Sequence, residues 1–344
     1  MTNRIDHASA ADRENLRSLA GKLISVTAPA LNEEDNLEAL CQQIAEALSP
    51  LTENYEIVIA DNASSDNSHA LLQRLSAKDP RIKYVRLSRN FGHQGGLIAG
   101  MHHCAGDIII TMDADLQHPP KVIPELLEQW QKGFDVVGTQ KQAVGYTTPL
   151  RLLLNHIFYK VVGRSTGIPL TQHQSDFRLL DRAALNALLA LPEREKFLRG
   201  LCHWIGFRQT SVEFKPSARQ FGRTKFRFMG LMAFAIHGVV SFSVLPLRLF
   251  TITGLIVAAL ALGNAAYLIF DWLFGLSTEP PAGWLTLATG VYFLGGLQLV
   301  GIGVLGEYLA LTLVESRRRP SFIVADANTP MYVGDTATPR STSP

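Results

Sequence analysis

The chain has 344 residues, 47% of them hydrophobic and 18% charged, with a formal net charge of +2. That charge is too small for a nucleic-acid-binding surface, and a composition this apolar points to a membrane part beside a globular domain. Cys41, Cys104 and Cys202 lie far apart without zinc-type spacing, which leaves no disulfide framework and fits inert thiols in a reducing compartment.

Residues 1–21 read as a polar extension. Arg4, Asp6, Asp12, Arg13, Glu14 and Arg17 precede the first apolar run, so no cleaved signal peptide is expected. From Lys22 onward, short apolar runs alternate with helical periods. Strands are predicted at Leu23–Ala28, Tyr55–Ala60, Ile82–Leu87, Asp107–Met112 and Phe134–Gly138. Helices are predicted at Asn36–Leu48, at Ser65–Ala77 with Ser64 as N-cap, at Gln94–Cys104, and from Pro119 and Pro120, where proline fits a first turn. The alternation predicts an α/β domain: a Rossmann-like, mostly parallel sheet with helices on both faces. The run Ile108, Ile109 and Ile110 suits a parallel strand buried on both sides. Residues 139–228 are less regular. Helices are expected there at Leu150–Gly163 and Arg182–Leu191, and Phe197–Lys225 is rich in Arg, Lys and aromatics.

The segment Phe226–Pro246 is apolar but interrupted by Gly230, Gly238 and Pro246, as interfacial helices are. Leu249–Phe270 and Trp284–Gly306 are uncharged, each about 22 residues long and sufficient to cross a bilayer as a helix. Asp271 and Glu279 lie between them, with Arg248 and Arg317, Arg318 and Arg319 outside. The positive-inside rule then places both outer flanks in the cytoplasm. The expected plan is an extension at 1–21, a cytoplasmic globular domain at 22–225 and juxtamembrane interfacial helices at 226–247. Two transmembrane helices at 248–314 and a cytoplasmic tail at 315–344 complete it. The plan predicts a multi-pass inner-membrane protein in contact with membrane lipids, with both termini cytoplasmic. Gly295, Gly296, Gly301, Gly303 and Gly306 permit close helix packing, which is compatible with a homo-oligomer.

Ligands of open α/β sheets gather at the carboxyl ends of the strands. Four polar clusters fall there: Pro29 to Glu34, Asp61 to Asp66, Ser88 to Gly92, and Asp113 to Gln117. Each alone suits an ordinary turn. Together they form one polar edge. Asp113 and Asp115 are two apart, so in extended chain they point the same way and offer hard oxygens to Mg²⁺ or Mn²⁺, which can bridge a nucleoside diphosphate.

Pro29, Asn32 and Glu33, then Asp61, Ser64 and Asp66, then Arg89 to Gly92, then Asp113, Asp115 and Gln117 resemble the inverting glycosyltransferases of family 2, with the GT-A fold. Ser175 to Leu179, Phe197 to Gly200, Trp204 to Phe207, and Arg219, Gly222, Thr224 and Lys225 resemble its polyprenyl-phosphate branch. That branch includes dolichol-phosphate mannose synthases and, closer to this chain, bactoprenol glucosyltransferases. The likeness covers about residues 22–322. It implies a metal-dependent hexosyltransferase that moves a sugar from a nucleotide-sugar to undecaprenyl or another polyprenyl phosphate. Glucose from UDP-glucose is the first expectation and mannose from GDP-mannose the alternative.

Carried over by residue, the resemblance sets Pro29, Asn32, Glu33 and Asn90 beside the nucleotide-sugar and Asp61 at its base or ribose. Asp113, Asp115 and Gln117 hold metal and diphosphate. Asp176 and Arg178 join Asp113 and Asp115 in catalysis at the sugar and acceptor end, and Arg199, Arg219 and Lys225 meet the lipid phosphate. Asn62 and His118 depart from the acids common in relatives, and His118 reads as a solvated turn histidine before a metal ligand. Thr224 keeps the hydroxyl of a common serine. A phosphate monoester is largely dianionic at neutral pH, so alignment and leaving-group stabilisation outrank a strong general base. A processive synthase would bring a Gln-x-x-Arg-Trp element, and a nucleotide-dependent oxidoreductase would bring glycines after the first strand. Neither is present. A non-catalytic lipid-carrier scaffold is disfavoured by the intact Asp113 and Asp115.

Overall fold

A computed structural model describes residues 16–141, 174–193, 196–215, 245–274 and 283–332. The expected helix at Leu150–Gly163, most of the interfacial segment, Arg219, Thr224 and Lys225 lie outside them.

The first apolar runs form parallel strands β1 (Ile24–Ala30), β2 (Tyr55–Asp61), β3 (Ile82–Leu87) and β4 (Ile108–Thr111), joined by α1 (Glu34–Leu48), α2 (Ser68–Lys78) and α3 (Gly92–His102). A 3-10 turn at Pro120–Val122 leads into α4 (Ile123–Gln131). Then follow β5 (Val136–Lys141), β6 (Gln174–Asp181), α5 (Arg182–Leu189), α6 (Leu198–Trp204) and β7 (Gln209–Phe214). Two long helices, α7 (Leu245–Phe274) and α8 (Trp284–Ser316), precede a last strand, β8 (Val324–Ala327). The sheet order is β7-β5-β6-β4-β1-β2-β3-β8. The pairs β4–β6, β5–β6 and β3–β8 are antiparallel, so the expected parallel sheet is mixed toward both edges.

Every residue of β1 and β2 is buried, because both faces of the sheet are covered. On one face Ile24, Val26 and Ala28 pack with Leu37, Leu40 and Ile44 of α1. On the other, Thr27 faces α3, where a Cβ on Gly100 would overlap its hydroxyl. The glycines of α3 thus serve close helix–sheet approach. At the amino edge Glu56 accepts from Ser25 Oγ (2.5 Å), Lys83 Nζ (2.5 Å) and Ala105 N (2.6 Å), pinning the loop before β4.

Three expectations are corrected. Helix α2 starts at Ser68 rather than Ser65, and Ser64 caps no helix but accepts from Asn32 N (3.0 Å). The extension's last residues are tied to the domain, with Arg17 paired to Asp135 at 2.7 Å. Residues 315–344 are not simply a tail, because β8 adds to the sheet edge beside β3.

Helices α7 and α8 form a compact unit of their own. Both expected apolar segments are helical, over 30 and 33 residues. Among the described residues only Phe293–Ser316 is long and apolar enough to cross a membrane by length and composition, so two spans do not follow from that criterion. Gly301 lies where a Cβ would overlap the ring of Phe250 on α7. It therefore serves packing within the chain, whereas Gly295, Gly296, Gly303 and Gly306 meet nothing within 4 Å among the described residues.

Candidate active site

Chain order takes β1 to β2 to β3 in one direction and then crosses back to place β4 on the other side of β1. The crevice outside the carboxyl ends of β1 and β4 is therefore the topological switch point, where such sheets bind ligands. Three turns at this edge hold non-glycine residues in the left-handed region: Asn32 (φ 57°), Ala63 (φ 59°) and Leu116 (φ 59°). Each costs on the order of 1–2 kcal/mol for a residue with a Cβ, strain of the kind that collects at functional sites.

The first two clusters are zipped together. Asn32 Oδ1 accepts from Ser65 N (2.8 Å), Glu33 N donates to Ser68 Oγ (3.1 Å), and Asn67 N donates to Glu34 Oε2 (2.9 Å). Glu33 also holds Asn36 at 2.6 Å. Asn32 and Glu33 thus shape the loop beside Pro29. Asp61, at the end of β2, is fully buried and accepts from Ser64 N through Oδ1 (2.9 Å).

Asn62 explains its own departure from an acid. Its Oδ1 accepts from Phe91 N (2.9 Å), and its Nδ2 donates to Gly92 O (2.9 Å) and Asn90 Oδ1 (3.1 Å). A carboxylate could make only the first of these. Asn90 is the other half of this clasp, since its Oδ1 also takes Gly92 N at 2.7 Å. Asn62→Asp sets a carboxylate against the Gly92 carbonyl. Urea unfolding should show a loss of about 1–3 kcal/mol, and an unchanged midpoint would remove the clasp from the account.

At the end of β4, Asp113 N donates to His118 Nδ1 (2.9 Å). That fixes the His118 proton on Nε2, which lies 2.7 Å from Ser175 Oγ. The ring stacks on Phe177 at 5.4 Å and meets Phe214 edge-on. His118 is fully buried, and burial drives its pKa down to about 3, so it is neutral. The expected solvated histidine is instead a buried strut that ties the Asp113 turn to β6. Asp115 Oδ1 accepts from Gln117 N (3.1 Å), which closes the turn that carries both residues. Asp113 Oδ1 is buried, takes no hydrogen bond and lies 3.4 Å from His93 Nε2. Burial first, and then the charge of Asp176, raise the Asp113 pKa against the pull of His93, Lys141 and Arg199.

Antiparallel pairing sets the start of β6 beside the end of β4, with Arg178 opposite Thr111, and so delivers Asp176 to Asp113. Asp176 accepts from Arg199 Nε (3.1 Å) and Nη2 (3.1 Å) and from Arg178 Nη2 (3.3 Å), with His93 Nε2 at 3.7 Å. Burial opposes its charge, but His93 and the two arginines outweigh that and hold its carboxyl far below the usual range. Arg178 lies deeper than expected: it donates to Leu198 O and Ser175 O (both 3.1 Å), and its side chain is 5% exposed. It is a positioning residue that fastens α6 to β6. Arg199 is 40% exposed and can meet a substrate.

With this geometry in place, comparison with known proteins is direct. Glycosyl transferase family 2 matches residues 25–189. A glycosyltransferase of Synechocystis, sll0501, itself uncharacterized, is 40% identical over 88% of this chain and 95% of its own length. The chain belongs to glycosyl transferase family 2. Other relatives of this glycosyltransferase include a prophage bactoprenol glucosyl transferase homolog of Escherichia coli and the bactoprenol glucosyl transferase of Shigella phage SfV. Each is 35% identical over 88% of this chain and over 98% and 97% of the relative. The mixed sheet agrees with the GT-A architecture.

The structure brings Pro29, Asp113, Asp115, Asp176 and Arg199 to one edge of this glycosyltransferase's sheet. Asn32, Glu33 and Asn90 tie the loops of that edge together, and Arg178 bonds to the backbone at Ser175 and Leu198. His93, at the start of α3 between Asp113 and Asp176, went unrecognised in the sequence. Only its place directly after Arg89 to Gly92 hinted at it.

Proposed function

We propose that this glycosyltransferase moves a hexosyl group, glucose from UDP-glucose in the first instance, onto undecaprenyl phosphate with inversion at a membrane surface. The observation that carries this is likeness to bactoprenol glucosyl transferases over nearly their whole length, helices α7 and α8 included. The lipid phosphate oxygen attacks the anomeric carbon in line, the bond from that carbon to the diphosphate oxygen breaks, and the nucleoside diphosphate leaves. Arg199 meets the acceptor phosphate as a planar, two-pronged donor, with Arg219 and Lys225 as its expected partners. Asp176 is too well held by arginines to serve as a strong base, and the dianionic acceptor needs none.

The site suits Mg²⁺ or Mn²⁺. Asp113 Oδ1 is a buried acceptor without a hydrogen bond, and Asp115 follows two residues on. No cluster of three His, Cys, Asp or Glu ligands occurs among the described residues. One or two carboxylates together with substrate phosphates suffice to hold such a cation. Such an ion would neutralise charge on the leaving diphosphate. Asp113, Asp115 and Gln117 would hold it.

Both α7 and α8 are read as crossing the bilayer. Leu255 and Leu260 on α7, and Leu299 and Leu309 on α8, expose 66–70% of their surface, and large exposed apolar area marks a membrane or partner contact. Strands β7 and β8 belong to one sheet, so the chain between them must cross an even number of times. At 1.5 Å per residue α7 is about 45 Å long, enough for a ~30 Å core. Gly283→Cys should label with an impermeant thiol reagent on intact cells, and Ser321→Cys only after permeabilisation. Labelling of both from outside would overturn this topology.

The deciding assay incubates the detergent-purified chain with Mg²⁺ or Mn²⁺, undecaprenyl phosphate and radiolabelled nucleotide-sugars. Label should enter the organic phase from UDP-glucose and not with Asp115→Ala. Transfer from another donor alone would replace the sugar. Nucleotide binding without lipid labelling would replace the acceptor.

A further inference from the structure

A row of charge crosses three strands at the far side of the nucleotide edge. Asp61 on β2 stands opposite Arg86 on β3, and Arg86 stands opposite Asp326 on β8. His69 of α2 lies over the row, with Nδ1 3.6 Å from Asp61 Oδ2 and Nε2 3.6 Å from Asp326 Oδ2. Its ring is held edge-on to Tyr84. Arg86 Nε is 3.7 Å from the same Asp61 oxygen. Asp61 Oδ2 and His69 Nδ1 are both buried, and neither makes a hydrogen bond. Buried polar atoms rarely stay unsatisfied, and these two face each other at the end of β2, where the position of the Asp61 carboxylate is set by His69 and Arg86. The strand that supplies Asp326 is firmly docked. Tyr84 N donates to Asn328 Oδ1 (2.7 Å), Ser88 N donates to Ile323 O (2.9 Å), and Phe322 packs on His102.

We propose that β8 is a positioning element of the donor site: Asp326 orients His69, and His69 with Arg86 orients the Asp61 carboxylate toward the nucleoside part of the donor. The strand that follows the last membrane helix thereby completes the wall of the nucleotide pocket. This rests on the reading that Asp61 meets the nucleotide. Asp326 is 48% exposed, so its contact with His69 contributes little stability itself. Its effect lies in orientation, which binding affinity reads and fold stability does not.

The test uses the full chain in detergent. Asp326→Ala should raise the KM for the nucleotide-sugar, and the Kd for the nucleoside diphosphate alone, about fivefold. The kcat, the KM for the lipid phosphate and the melting temperature should hold. Asp326→Glu should restore most of the affinity, and His69→Gln should reproduce the loss if Asp326→Ala folds poorly. In an Asp61→Ala background Asp326→Ala should add nothing, since coupled residues are non-additive. An unchanged donor KM in a transferring enzyme overturns the proposal alone. So does full additivity with Asp61→Ala, or a fall in kcat that tracks a lower melting temperature in both Asp326→Ala and His69→Gln. A wild type that binds no nucleoside diphosphate overturns the donor reading and this proposal with it.

Discussion

Asp176→Asn is expected to cost this glycosyltransferase both its fold stability and its activity. The carboxylate is the common counter-charge of Arg178, Arg199 and His93, and the Asp176–Arg178 pair is buried on both sides, at 7% and 5% exposure. Removing one member of a buried pair leaves the other charge uncompensated, at about 3–5 kcal/mol. The melting temperature should fall on the order of 10 °C. Arg199 would lose the partner that aims it, so transfer should drop about a hundredfold or more. Arg199→Ala separates the two effects, because its half-exposed side chain should cost activity with little stability. The same pairing sets an acid limit. The folded-state pKa of Asp176 is depressed, so its contribution is fully present above the unfolded value near 4 and is lost as pH falls below it. Equal melting temperatures for wild type and Asp176→Asn at neutral pH would show that the two arginines do not depend on it.

The parallel half of the sheet was legible because buried parallel strands are continuous apolar runs. Expected and observed ranges coincide at Ile82–Leu87 and differ by one or two residues at β1, β2 and β4. The antiparallel additions were not legible. β6 (Gln174–Asp181) runs through Ser175, Asp176 and Arg178, whose polar side chains lie at the candidate site, and β8 is the four-residue segment Val324–Ala327 on an edge. Neither carries a period that distinguishes strand from loop. Of the site, the acidic end of β4 could be read because spacing alone aligns Asp113 with Asp115. What could not be read were pairings made across the fold. His118 meets Ser175, 57 residues on, and His93 lies between Asp113 and Asp176. Asn62 turned toward Asn90 and Gly92 by a hydrogen-bond requirement that appears only once β2 and β3 are side by side. Even the tail's return to the sheet follows from a pairing 244 residues apart, Tyr84 with Asn328.

Asp113→Asn should do the reverse of Asp176→Asn, abolishing transfer while leaving the metal-free protein as stable as wild type or more so. Asp113 Oδ1 is buried and unsatisfied with Asp176 nearby, and the Asp113 pKa is raised. A raised carboxyl pKa means that the folded state disfavours the charged form, so above the unfolded pKa near 4 the ionised group subtracts from stability. The neutral isostere removes that cost and keeps the backbone N–H bond to His118, which holds the turn. Transfer should nevertheless fall about a thousandfold, because a cation that neutralises the leaving diphosphate would lose a charged ligand. The two melting curves then supply the check. Adding Mg²⁺ or Mn²⁺ with nucleoside diphosphate should raise the wild-type melting temperature by mass action and leave Asp113→Asn where it was. A chelator should return the wild type to its lower value and stop transfer in the same titration. If Asp113→Asn instead melts well below metal-free wild type, the carboxylate is a structural partner and the strain at Leu116 serves the fold rather than the cation.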